Sequence, residues 1–203
     1  MKLFHSPASP YVRKVMVVLH ETGQEGDVTL VPAMGTALEP GTMPVAQNPL
    51  GKLPTLEREG GGALYDSRVI CRFLDDRGAG RLLPPAPALW ETLTLEATGD
   101  GIMDAALLMV YEHRLRPPEL VSDAVIEAQW TKVTRALDAL EGRWLSHLAG
   151  PIDMGQIALG CALGYVDFRL GERAWRQGRD GLAAWYARFS ERPSMQATRP
   201  EAP

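Results

Sequence analysis

The chain has few cysteines, no basic run and no long apolar stretch, and each shortage removes a class of protein. Two cysteines, Cys71 and Cys161, stand far apart among 203 residues with no Cys-x-x-Cys. That spacing supports neither a disulfide framework nor a zinc ribbon. His5, His20, His113 and His147 show no metal-ligand spacing, so no metal is expected. Lys and Arg number 21 against 25 Asp and Glu, a net charge of −4. With a pI near 5.6 and no basic cluster, nucleic acid is not expected as a partner. The longest charge-free apolar stretches, Ala105–Tyr111 and Ile157–Val166, are too short to span a bilayer. The opening Met1-Lys2-Leu3-Phe4-His5-Ser6-Pro7 lacks the apolar region of a signal peptide. The expectation is a soluble, cytoplasmic protein without a membrane partner.

What is present fits one large domain or two small ones. Hydrophobic residues make up 45% and charged residues 23%, an ordinary globular profile. Such a length buries a core without staples. The 20 Gly and 16 Pro stay below the share, roughly a quarter, that signals disorder.

The pattern changes near residue 80. Before it, Lys2–His5 reads as a strand and Ser6–Pro10 as a turn. Val12, Val15, Met16 and Leu19 then recur at helical spacing up to Gly23. Val28–Val31 is a second strand, and Pro32 to Pro49 is irregular. Leu53–Glu57 is a third strand, Gly60-Gly61-Gly62 a turn, and Ala63–Tyr65 a short fourth strand. Val69, Ile70, Phe73 and Leu74 give another helical face. After the Gly- and Pro-rich segment 78–87, everything reads as helix. One long helix runs from Leu89 to about Leu115, interrupted by Gly99 and Gly101. Val133, Leu137, Leu140, Trp144 and Leu148 form one stripe. Asp153 and Gln156 form a capping-box pattern ahead of a largely buried helix, Ile157–Leu170. Gly181–Ser190 is the last helix, closed by Arg192-Pro193.

Three short segments have the residue types for chemistry. Ser9 precedes Pro10 at a helix start, where Ser is a good cap and Pro a preferred first residue. The same helix end offers free N–H groups, a positive dipole end and a hydroxyl, which suit a bound thiolate. The two roles are compatible. In Asn48-Pro49-Leu50-Gly51-Lys52-Leu53-Pro54-Thr55-Leu56, a trans Pro54 would disturb the strand it opens. A cis Leu53–Pro54 bond would turn the N–H and C=O of Leu53 toward a cleft, with Lys52 beside it for a carboxylate. Lys52 as a plain loop lysine and Pro54 as an edge-strand proline remain the alternative. Asp66 and Ser67 can each cap the next helix, or bind an α-carboxylate and its ammonium group.

Taken together, Ser9-Pro10-Tyr11-Val12-Arg13-Lys14-Val15, the Asn48–Pro54 loop and Asp66-Ser67-Arg68-Val69-Ile70 resemble the first half of a cytosolic glutathione transferase. The helical second half, with Asp153 and the late segment Leu182–Phe189, agrees. The N-terminal motif is similar to that of serine-type, tau-like members. The resemblance implies an α/β thioredoxin-like N-terminal domain over residues 1–77 and a linker over 78–87. It implies an all-α C-terminal domain over 88–203, with the electrophile pocket in the cleft between the domains. It implies that glutathione is the co-substrate and that the reaction joins its thiolate to a small hydrophobic electrophile, as in detoxification. Ser9 would then hydrogen-bond the glutathione sulfur, Leu53 would pair its backbone with the cysteinyl unit, and Lys52 would meet the glycyl carboxylate. Asp66 and Ser67 would hold the γ-glutamyl end, Asp66 with a side chain one methylene shorter than the family's usual Glu or Gln. A homodimer is implied as well. No cysteine stands at position 9, so no mixed disulfide with glutathione is expected there. Cys71 and Cys161 fall on apolar helix faces and read as core. Met103, Leu107, Val110 and Tyr111 are candidates for the second-substrate pocket or for plain core. Two other outcomes stay open: a binding protein that kept the fold without turnover, and a glutathione-dependent peroxidase or isomerase.

Overall fold

The computed structural model describes residues 1–201. Its three-stranded sheet is built from β1 (Lys2–His5), β2 (Thr29–Pro32) and β3 (Thr55–Glu57), in the order β2-β1-β3. β1 runs parallel to β2 and antiparallel to β3, with Leu3 opposite Leu30 on one side and Leu56 on the other. A parallel pair needs a crossover, and α1 (Pro10–Glu21) supplies it. Helix α1 ends where Gly23 takes a positive φ of 66°. Helix α2 (Ser67–Arg77) packs against α1. Leu3, Val15, Val18, Leu56, Ile70 and Leu74 share the resulting core.

The second half is helical: α3 (Ala88–Leu115), α4 (Asp123–Arg143), α5 (Leu145–Leu148), α6 (Met154–Leu170), α7 (Asp180–Ser190) and α8 (Pro193–Ala197). Helix α6 is buried on every side from Met154 to Val166, as an all-round apolar helix must be. It lies closely against α3 because two glycines remove side chains at the crossing. A Cβ on Gly99 would come within 2.7 Å of the Ala158 carbonyl carbon, and one on Gly155 within 2.8 Å of the Thr92 oxygen. Gly99 therefore serves close packing, whereas Gly101 faces open space. The architecture is the expected thioredoxin-like half with a small sheet, followed by an all-helical half.

Several details differ from the sequence pattern. Helix α3 runs without interruption through Gly99 and Gly101, and β3 begins at Thr55 because Leu53 and Pro54 form the cis turn ahead of it. Ala63–Tyr65 does not form a strand: only Leu64 bridges Leu56, through reciprocal hydrogen bonds of 3.0 and 2.8 Å. The chain leaves the sheet at once because Asp66 already caps α2. The stripe from Val133 to Leu148 belongs to two helices, since α4 ends at Trp144. The interruption is one residue long, so the apolar spacing survives it. Pro193 starts the extra helix α8, where a proline is welcome in the first turn.

Candidate active site

The sheet register gathers the three sequence motifs. Phe4 pairs with Thr55, so the chain leaves β1 at the end where it enters β3. Leu64 bridges Leu56, which brings the start of α2 to that same end. Ser9, Leu53 and Ser67 thus come from separate segments to one edge of the sheet.

Ser9 is the N-cap of α1. Its backbone is extended, and its Oγ accepts from the Val12 N–H at 3.3 Å. The cap uses one lone pair, so the half-buried hydroxyl keeps its proton to donate elsewhere. Pro10 stands at N1, where its missing N–H costs nothing.

The Leu53–Pro54 bond is cis. The backbone N–H and C=O of Leu53 have no hydrogen-bond partner among the described residues. The loop that presents them is braced from below. Buried Asn48 donates through Nδ2 to the Lys52 carbonyl at 3.0 Å and to Thr55 Oγ1 at 3.2 Å. Thr55, also buried, donates to the same Lys52 carbonyl at 3.0 Å. These bracing roles of Asn48 and Thr55 are absent from the sequence reading, although both residues lie inside the loop motif. The Lys52 side chain is exposed and has no ion-pair partner among the described residues.

Asp66 and Ser67 divide their work. Asp66 is the N-cap of α2: its Oδ1 accepts from the Arg68 N–H at 2.9 Å and its Oδ2 from the Arg68 guanidinium at 3.2 Å. Ser67 is 3% exposed, and its hydroxyl has no partner among the described residues. The hydroxyl is therefore the uncommitted group of the pair.

The helical half closes this edge. Tyr11, two residues beyond Ser9, donates its hydroxyl to Asp104 on α3. Burial and that carboxylate push the Tyr11 phenol far up, so it stays protonated. Lys14, fully buried, sits 2.6 Å from Asp100 and 3.4 Å from Glu96. Arg72 reaches Glu96 at 2.9 Å, and Arg68 lies 3.5 Å from Asp100. This charged layer ties α1 and α2 to α3. The sequence signal for it is a lysine amid the buried residues Val12 to Val15.

Both cysteines are buried and unpaired. Burial pushes Cys161 up to about 11 and Cys71 further still. Neither offers a thiolate at neutral pH, which leaves them as packing residues. Met103 is core, while Val110 lines a cavity of about 380 Å³ between α3 and the end of α6. A second cavity, about 420 Å³, opens beside Met1 and Glu59 at the opposite end of the sheet from Ser9. Among the described residues there is no cluster of His, Cys, Asp and Glu able to hold a metal. No described helix is long and apolar enough to cross a membrane.

A thioredoxin-like half with polar groups at one sheet edge, closed by an all-helical half, defines the class of protein. Family models described as the N-terminal and C-terminal domains of glutathione S-transferase match residues 3–82 and 123–188. The chain belongs to the glutathione S-transferase family. It is similar to the uncharacterized GST-like protein YibF of Escherichia coli (strain K12), 34% identical over 98% of both chains. A crystal structure of a glutathione transferase family member from Pseudomonas fluorescens Pf-5 with bound glutathione superposes with a TM-score of 0.96. It has 48% identity and 99% of each chain covered. A second structure from that source, with bound S-(propanoic acid)-glutathione, has a TM-score of 0.91 at the same identity over all of both chains. A glutathione S-transferase from Methylobacillus flagellatus KT with glutathione bound gives 0.88, with 37% identity over 98% of this chain and 99% of that one.

Proposed function

We propose that the chain is a serine-type glutathione transferase, in which Ser9 activates the glutathione thiol for attack on an electrophile with an apolar body. The observation that carries the reading is the convergence of uncommitted polar groups at one sheet edge. These are the Ser9 hydroxyl, the Leu53 backbone and the Ser67 hydroxyl, with the Lys52 ammonium beside them. Glutathione is an extended tripeptide with a carboxylate at each end and a thiol between, and the order of these groups suits it. Leu53 pairs with the cysteinyl backbone, Lys52 meets the glycyl carboxylate, and Ser67 donates to the γ-glutamyl carboxylate. Asp66 faces the γ-glutamyl ammonium, with its carboxylate already shared with Arg68. The bound glutathione of the Pseudomonas fluorescens and Methylobacillus flagellatus relatives supports the same ligand here. The S-(propanoic acid)-glutathione of the former is a thioether of glutathione, the kind of product that thiolate alkylation leaves.

The energetics are of the right size. A free thiol titrates near 8.5. Bringing it to about 6.5 needs about 2.7 kcal/mol of preferential thiolate stabilisation. One charge-assisted hydrogen bond from Ser9 and the positive end of α1 together supply about that much. The sulfur then attacks the electrophile, and the thiol proton leaves to solvent.

Ser9→Ala tests the reading. The pKa of bound glutathione is expected to rise toward 8.5, and turnover at pH 6.5 to fall about tenfold or more. The cap loss itself costs about 1 kcal/mol of stability. An ultraviolet thiolate titration giving the same pKa in variant and parent removes Ser9 from the chemistry. Glutathione binding without turnover of any electrophile would instead place the chain among binding proteins.

A further inference from the structure

The cavity of about 380 Å³ at the C-terminal ends of α3 and α6 stands apart from the sheet edge. Its lining includes none of Ser9, Lys52, Leu53, Asp66 and Ser67. On α3 it starts beyond Asp104, and Arg114 is ten residues, about 15 Å, further along the helix axis. Its volume lies in the range of small-ligand pockets, roughly 300–1,000 Å³. The proposed transferase chemistry makes no use of it.

The lining is divided by chemistry. Val110, Ile126 and Leu170 supply an apolar floor. Arg114, Arg169 and Arg173 supply positive charge, and the exposed Glu172 is the one acidic residue. The exposed His113 completes the polar rim. In a chain of net charge −4 this is a local reversal of sign. Arg173 is already engaged: it pairs with Glu127 at 2.7 Å and lies 5.5 Å from the Trp130 ring centroid. Arg114 and Arg169 have no ion pair among the described residues. Arginines in a last helical turn can answer the open carbonyls there. Neither of these donates to a carbonyl among the described residues. Arg169 lies over Phe168, its guanidinium carbon 4.1 Å from the ring centroid, and its Nε is buried without a hydrogen-bond partner. Burial pushes the Tyr165 phenol beside it up, so that group stays neutral and balances no charge. A guanidinium resting over a ring keeps its N–H edge for acceptors, and that fork matches a planar carboxylate.

We propose that this cavity is a second binding site, independent of glutathione, for an amphipathic organic monocarboxylate. Arg169 and Arg114 hold the carboxylate, and the apolar body lies on Val110, Ile126 and Leu170. The two parts of the lining select this class together. A partly buried guanidinium without a partner is costly and calls for an anion. A small hydrated ion would leave the apolar floor unused, and a neutral apolar molecule would leave the arginines unpaired. A ligand with both parts answers both. With Glu172 in the rim, the two free arginines leave one positive charge, which one carboxylate balances.

The test is calorimetric titration of 2-naphthoate into the full chain, alone and with the glutathione site filled by saturating S-hexylglutathione. 2-Naphthoate is expected to bind, with an affinity that S-hexylglutathione changes less than twofold. 2-Naphthalenemethanol, which has the ring system without the charge, should bind at least tenfold more weakly, the worth of a charge-assisted hydrogen bond. Inorganic phosphate, an anion without an apolar body, should also bind at least tenfold more weakly. Arg169→Gln should lower 2-naphthoate affinity tenfold or more and leave S-hexylglutathione affinity unchanged. Arg169→Lys should keep part of it, because lysine keeps the charge and loses the fork. Arg114→Gln, at an exposed position, should lower it as well and serves if Arg169→Gln folds poorly. No binding of 2-naphthoate, or its displacement by S-hexylglutathione, overturns the proposal. So do equal affinities for the acid and the alcohol, equal affinities for the acid and phosphate, or undiminished affinity in both glutamine variants. A chain that binds no S-hexylglutathione overturns the glutathione reading instead, and the arginine variants then decide this proposal by themselves.

Discussion

Ser67 and Asp66 are joined by one peptide bond and do different things. Asp66 caps α2 and is tied to Arg68, while Ser67 is buried with a free hydroxyl. Substitutions should separate them. Ser67→Ala leaves the cap in place, so the melting temperature should move little. Glutathione affinity should fall ten- to a hundredfold, the worth of a hydrogen bond to a carboxylate. Asp66→Ala should cost about 1 kcal/mol of stability through the lost cap. Calorimetric titration and thermal melting of both variants check this. Unchanged glutathione affinity in Ser67→Ala would reduce Ser67 to a packing residue. The sequence left the pair ambiguous because both side chains have capping chemistry. Only the helix start, one residue later than Asp66, decides between them.

At the scale of elements, α6 shows what a cap can anchor. Asp153 accepts from the Gln156 N–H at 2.8 Å and from the Thr92 hydroxyl at 2.8 Å, and meets His147 Nε2 at 2.6 Å. One carboxylate therefore fixes the start of α6, a turn of α3 and the end of α5. The Asp-x-x-Gln pattern announced the first of these contacts. Its reciprocal half did not form: the Gln156 side chain donates to the Pro151 carbonyl at 2.8 Å instead. Asp153→Ala should cost about 2–4 kcal/mol, more than a cap alone, because Thr92 loses its buried acceptor. Urea unfolding measures it. A loss under 1 kcal/mol would mean that the contacts to α3 and α5 add nothing to the cap.

Across the whole molecule, several charged groups join the halves. One set is the Lys14 layer beneath the site. Buried Arg13 donates to the Met195 carbonyl at 3.1 Å. Another is Glu21 at the end of α1, which accepts from Arg192 at 2.7 and 2.9 Å and from Ser194 on α8. Burial alone would raise the Glu21 carboxyl. The hydrogen bonds from Arg192 and Ser194 outweigh it and hold the group below its usual 4.5. A carboxyl depressed in the folded state stabilises the fold above its unfolded pKa. That contribution is lost as the pH falls through the folded value. Glu21→Gln should therefore lower unfolding free energy by about 1–2 kcal/mol at pH 7. The difference from the parent should shrink below about pH 4. Urea unfolding at pH 7 and pH 3.5 decides it. A difference that is the same at both values would show that the clamp does not depend on ionisation.

By itself the sequence determined β1, α1, the long α3, the α6 cap and the place of Ser9, because each rests on residues a few positions apart. Ser-Pro before an amphipathic run, a glycine after it and an aspartate three residues before a glutamine are local instructions. The tertiary structure decided which polar groups stay uncommitted and which are consumed. Lys14 meets partners 82 and 86 residues away, and Tyr11 meets one 93 residues away. Residues as distant in sequence as Arg114 and Arg169 line one cavity because α3 and α6 pack together, closely where Gly99 and Gly155 stand. A local pattern carries the propensity of a backbone segment. It does not carry the partner of a side chain, which depends on how distant helices pack.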